Sequence, residues 1–166
     1  MCSAQDGDLN SALKHMQAAE SKVGRTAEIV CRLAICWSFF DKSKSQQLIK
    51  EALKLNPNHP RLNYIIGLDA KQAGDFELAI KHYLKAIKYY PVSDIFHLNE
   101  TYNNLGSTYY EMGNYLEAKQ AWEQALVFLP KDRMTRDNLR EFIYENPEVP
   151  KRIREISPFI QKYWVR

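Results

Sequence analysis

The sequence predicts an all-α chain built from stacked copies of one helical unit. The first observation is a repeat of punctuation. Gly67, Ala79, Tyr83, Ala86 and Pro91 recur as Gly106, Ala118, Trp122, Ala125 and Pro130, with the same steps of twelve, four, three and five residues. Internal repetition at this length signals a repeat architecture. The second is periodicity: Asn63, Ile66, Gly67 and Ala70 fall on one helical stripe, and so do Ala79, Tyr83, Ala86 and Ile87. The third is the break between the stripes, Gly74-Asp75, which supplies a turn.

Taken from Pro60 to Ser93, one unit is a helix, a turn and a second helix. A glycine within a helix costs about 1 kcal/mol of propensity, so Gly67 needs a packing reason, and close approach of two helices is that reason. Ala79 and Ala86 are small for the same cause. Tyr83 is expected to fill the space between units. Pro91 lacks a backbone N–H and stops the second helix. An imperfect copy precedes this unit at Leu33-Ala34, Ser45, Ile49, Ala52 and Pro57, and a half-copy opens the chain at Gly7-Asp8, Ala12, Met16, Ala19 and Gly24.

These residues resemble the tetratricopeptide repeat family across roughly residues 6–132. The resemblance implies a right-handed superhelix of stacked antiparallel helix pairs, an α-solenoid of about three units plus a C-terminal capping helix. The expected divisions are a partial repeat over 1–25, an imperfect repeat over 26–59, a repeat over 60–93, a repeat with a short insertion over 94–132, and a cap with a helical tail over 133–166. Asn63 departs from the family's usual large apolar residue.

Elsewhere the spacing slips. Residues 8–20 read as the second helix of a unit whose first helix is missing, which would leave Leu9, Ala12, Leu13 and Met16 as an uncovered stripe, open to docking or to homodimerisation through this helix. The abrupt start also fits a fragment of a longer array. Five extra residues around Ser93–His97 are expected to lengthen the next helix by more than one turn, with Ser93 as its N-cap and Asp94 in its first turn. Phe96 and His97 would then be accessory contacts. After Pro130, residues 131–144 read as a cap: Met134, Leu139, Phe142 and Ile143 inward, and Arg133, Arg136, Arg140 and Glu141 outward. Ile153, Ile156, Phe159, Ile160, Tyr163 and Trp164 are too apolar for a free tail.

Composition narrows the function. The longest apolar run, Ile29–Phe40, is interrupted by Arg32 and Ser38 and falls short of the ~20 residues of a membrane span. Cys2, Cys31 and Cys36 make no disulfide framework, and Cys31 and Cys36 read as small buried hydrophobes in a reducing compartment, which fits a cytoplasmic location. His15, His59, His82 and His97 lie apart, without a second ligand at helical spacing, so neither metal nor cofactor is expected. The net charge is +3. Residues 131–166 hold nine Lys/Arg and six Asp/Glu, leaving fourteen of each sign before them. That excess is too dilute for a nucleic-acid patch.

No catalytic cluster or phosphate loop stands out, so the chain reads as an interaction module and not an enzyme. The resemblance implies that first helices line a concave groove for a peptide or amphipathic helix. Its positions here are Ala27, Val30, Ala34 and Trp37; Arg61, Tyr64, Leu68 and Lys71; and Glu100, Asn103, Ser107 and Tyr110. The candidate binding residues are Trp37, Arg61, Tyr64, Leu68, Lys71, Asn103, Ser107 and Tyr110. Some co-chaperones of the family clamp a terminal carboxylate with Lys and Asn, but Val30 and Ala34 stand in those places, so acidic chaperone tails are not expected partners. The alternatives are a secretion- or assembly-type chaperone that dimerises through its N-terminal helices, and the repeat domain of a larger enzyme.

Overall fold

A computed structural model describes residues 9–146, with side chains from Ser11 onward. The described residues are all-helical: α1 (Leu9–Val23), α2 (Ala27–Ser38), α3 (Lys42–Leu55), α4 (Pro60–Gln72), α5 (Phe76–Tyr89), α6 (Ile95–Glu111), α7 (Tyr115–Phe128) and α8 (Arg133–Glu145). The chain divides into two compact units between Ile65 and Ile66.

In the first unit, α1 packs on α2 and α2 on α3. Ile29, Val30, Leu33 and Ala34 of α2 meet Leu48 and Ala52 of α3 and Leu62. Val30 and Ala34, expected on a groove surface, are instead wholly inside this core. The α1 stripe, predicted open, is partly covered where its side chains are described. Ala12 is 1% exposed, and Leu13, Met16 and Ala19 pack against the same core. Amphipathicity shows that a helix has an inner face but not whether a neighbour already fills it. Ser45 replaces the repeat's alanine, and its buried hydroxyl donates to the Ala34 carbonyl at 2.8 Å. Cys31 and Cys36 are buried, and burial pushes the Cys31 thiol up to about 12.

A buried histidine joins two helices of this unit. His59 Nδ1 accepts from the Leu62 N–H at 3.4 Å, which puts the ring proton on Nε2. Nε2 then donates to the Glu28 carboxylate at 3.0 Å. Asn63 is fully buried. Its amide donates to the Pro57 and His59 carbonyls at 3.1 and 2.9 Å. Asn63 therefore ties down the loop before α4 at a place where an apolar side chain would leave both carbonyls without this donor.

The second unit shows what the repeated punctuation encodes. A Cβ on Gly67 would stand 2.6 Å from the Tyr83 ring, and one on Gly106 would stand 2.7 Å from Trp122. Each glycine makes room for the aromatic of its own helix pair, so Tyr83 fills space within its pair. The turns repeat as well. Gly74 and Gly113 have φ near +80°. Asp75 N–H bonds back to Ala70 and Asn114 N–H to Tyr109, both at 2.9 Å. These are two copies of one glycine-terminated helix end.

α6 has 17 residues against 13 in α4, an extension of just over one turn. Its N-cap is Asp94, not Ser93, without a side-chain cap hydrogen bond; the Asp94 carboxylate is held by His97 at 2.8 Å instead. α8 begins after the N-cap Asp132, whose side chain accepts from Thr135 N–H. Phe142 is buried against Ala118 and Trp122, with Leu139 beside it. Met134 and Ile143, expected inward, are exposed. The apolar tail from Pro147 onward, together with Cys2 and Leu9, lies outside the described side chains.

Candidate functional site

Helical spacing fixes which side chains share a face. On α6, Phe96, Glu100, Asn103, Ser107 and Tyr110 advance by four, three, four and three residues, and on α8 Met134, Asn138, Glu141 and Glu145 advance by four, three and four. The two stripes face each other. Asn138 donates its amide to Asn103 Oδ1 at 2.9 Å, and Tyr110 donates its hydroxyl to Glu145 at 2.6 Å. The Glu145 carboxylate keeps the Tyr110 phenol protonated above its ordinary range.

Two cavities lie along this face. The larger, about 620 Å³, is lined by residues that include Phe96, His97, Glu100, Asn103, Leu129 and Met134. Its rim is apolar and open, with Phe96 70% and Met134 65% exposed. His97 is fixed from two sides, by Asp94 and by stacking on Tyr90 at 5.5 Å between ring centroids. The smaller, about 210 Å³, has Tyr110, Trp122 and Phe142 as its floor and Glu111, Glu141 and Glu145 around it. Its floor is an aromatic cluster, with Trp122–Phe142 at 5.7 Å and Tyr110–Phe142 edge-on at 6.1 Å. Trp122 is held by donating its ring N–H to the Asn103 carbonyl at 3.2 Å.

The predicted residues divide sharply. Asn103, Ser107 and Tyr110 come together on the α6–α8 face with Phe96 and His97. Asn103 is only 7% exposed, but it lines the larger cavity. In the first unit, Tyr64 is 3% exposed, out of a partner's reach, with the Arg61 guanidinium 4.7 Å from its ring centroid. Trp37 packs against the core under the Lys44 ammonium, 3.8 Å from its ring. Leu68 is half-buried, and Lys71 is paired with Glu111 at 2.9 Å. The basic groups expected for the groove are thus already engaged.

The contribution of α8 was missed by sequence reasoning. Glu141, expected outward with the arginines, is exposed but stands on the opposite side of α8 from them, at the smaller cavity. The signal was present: Arg133, Arg136 and Arg140 share one side of α8, while Met134, Asn138, Glu141 and Glu145 share the other. Arg133 and Arg140 pair with Asp137 instead. Among the described residues, no group of three or more His, Cys, Asp or Glu is placed to hold a metal ion. Among them, too, no helix is long and apolar enough to cross a membrane.

Residues 59–129 match the tetratricopeptide repeat family model, the stretch that holds both glycine–aromatic pairs and both repeated turns. Over that stretch the chain is similar to tetratricopeptide repeat proteins. No curated protein matches it in sequence. Similar solved structures include Pseudomonas aeruginosa pilF, with a TM-score of 0.72 at 17% identity, covering 88% of this chain and 65% of that one. A chain of the APC/C hetero-tetramer Cut9–Hcn1 gives a TM-score of 0.72 at 20% identity, covering 87% of this chain but only 28% of that one. The first tetratricopeptide repeat domain of Spaghetti (RPAP3), bound to the HSP90 peptide SRMEEVD, gives 0.61 at 14% identity, covering 74% and 94%. At these identities the likeness is one of fold.

Proposed function

We propose that this chain is a tetratricopeptide repeat module for protein interaction that holds a segment of a partner along the α6–α8 face. One observation carries the reading: two helical stripes line tandem cavities whose open edge exposes the large apolar side chains Phe96 and Met134. A cavity of about 620 Å³ is in the size range of sites that take small ligands or a few peptide side chains. The peptide bound to the similar RPAP3 domain supports a ligand of this kind. The function is binding rather than catalysis. The dimerising-chaperone reading has less to rest on, because Leu13 and Met16 of the α1 stripe are partly packed on the first unit's core.

The test is a quantitative pull-down with the intact chain and a Phe96→Ala, Met134→Ala variant. Both residues are exposed, so the thermal midpoint should hold within about 0.5 kcal/mol of stability. Specific partners should fall away with the variant. Unchanged recovery would remove the α6–α8 face as the binding surface.

A further inference from the structure

The sign of the charge on this face specifies its partner more closely. The two cavities are lined by five carboxylates, Glu100, Glu111, Asp132, Glu141 and Glu145, and by no lysine or arginine, although Glu111 is paired with Lys71 from outside the lining. His97, the one basic side chain among them, is bonded to Asp94. Arg136 and Arg140 of α8 line a separate shallow hollow with Leu126, Leu139 and Ile143. α8 therefore sorts its charges, with carboxylates toward α6 and guanidinium groups away from it. The acidic edge borders the exposed apolar side chains Phe96 and Met134 at one cavity and the half-buried Tyr110 at the other, with Trp122 and Phe142 buried beneath it.

We infer that the α6–α8 face takes a basic amphipathic segment of a partner protein, with lysine or arginine side chains beside Glu141 and Glu145 and aliphatic side chains against Phe96 and Met134. This rests on the interaction reading above and adds the chemistry of the ligand. Complementary charge selects among partners more than it adds affinity, because a wrong-signed segment is repelled. An acidic segment would bring like charge against these carboxylates. The long stems of lysine and arginine suit such a face, since they pack along apolar surface while their heads reach the carboxylates.

The experiment is panning of a phage library of random dodecapeptides on the full chain. Enriched clones are then measured as synthetic peptides against two variants, Glu141→Lys with Glu145→Lys, and Phe96→Ala with Met134→Ala. Circular dichroism and thermal melts verify that both variants fold, and Glu141→Gln with Glu145→Gln replaces the first pair if charge reversal does not. The inference predicts enriched clones with net positive charge. Charge reversal should lower their affinity about tenfold, and rising salt should weaken them. Clones that bind the apolar face but are neutral or acidic, and ignore the charge reversal, would overturn the basic-segment inference and leave the interaction reading standing. Clones indifferent to both variants would overturn the face itself. Panning that returns no basic clone, because a second copy or the chain's own residues 147–166 hold the face, also overturns the assignment.

Discussion

At the scale of single residues, the repeat is a set of fitted pairs. Gly67 and Gly106 matter for the volume they leave empty. An alanine at Gly67 gains about 1 kcal/mol of helix propensity, but its methyl must displace the fully buried Tyr83 ring from 2.6 Å. Overpacking costs about 1–3 kcal/mol, so Gly67→Ala should lower the denaturant midpoint. The reverse lesion, Trp122→Ala, opens a cavity against Gly106 and Phe142 and should cost about 3–5 kcal/mol. Chemical denaturation of both variants tests this, and a stabilised Gly67→Ala would show that the packing is looser than these distances. The spacing showed that Gly67 needs a close approach of two helices, but it put Tyr83 between units, where the structure sets it against Gly67 within its own pair. Burial was not readable in the same way. Tyr64 and Tyr110 are both expected on the groove from their repeat positions, yet one is buried and the other lines a cavity, since neighbouring side chains decide that and no local pattern encodes them.

At the scale of elements, the sequence marks helix ends well where backbone chemistry sets them. Gly74 and Gly113 end α4 and α6 by the same hydrogen bonds. The N-cap of α6 falls one residue late, at Asp94, whose carboxylate is held by His97 rather than by the helix's own N–H groups. The faces of α1 and α8 were the least legible. Both have clear amphipathic patterns, but the pattern is silent on which neighbour covers it. The link from α2 to α4 was also hidden, since Glu28 and His59 are 31 residues apart. The His59 bond, and secondarily Arg32, hold the Glu28 carboxyl down at about 2. A depressed carboxyl contributes stability that is present above its unfolded value near 4.5 and is lost as pH falls toward 2. Glu28→Gln should therefore flatten the loss of stability between about pH 4.5 and 2 in thermal melts. A wild-type-like acid limb in that variant would assign the loss to other carboxylates. Glu28 is about half exposed, so the effect is modest.

At the scale of the whole molecule, a nearly balanced chain carries a locally unbalanced surface. The net charge of +3 concerns the full sequence and says nothing of the α6–α8 face, where carboxylates gather beside exposed apolar groups. The sequence identified the repeat and the kind of activity to expect, and it named Asn103, Ser107, Tyr110, Phe96 and His97. It could not show that α8 completes the face, because α8 lies beyond the last matching repeat and its stripe gains meaning only once α6 is opposite. The proposal of a basic partner segment depends on that helix. The most direct test is chemical-shift mapping of the ¹⁵N-labelled chain titrated with an enriched basic peptide. The account predicts perturbations concentrated at Phe96, Glu100, Ser107, Met134, Asn138 and Glu141. Perturbations confined to α2 and α3, or to the arginine side of α8, would contradict it.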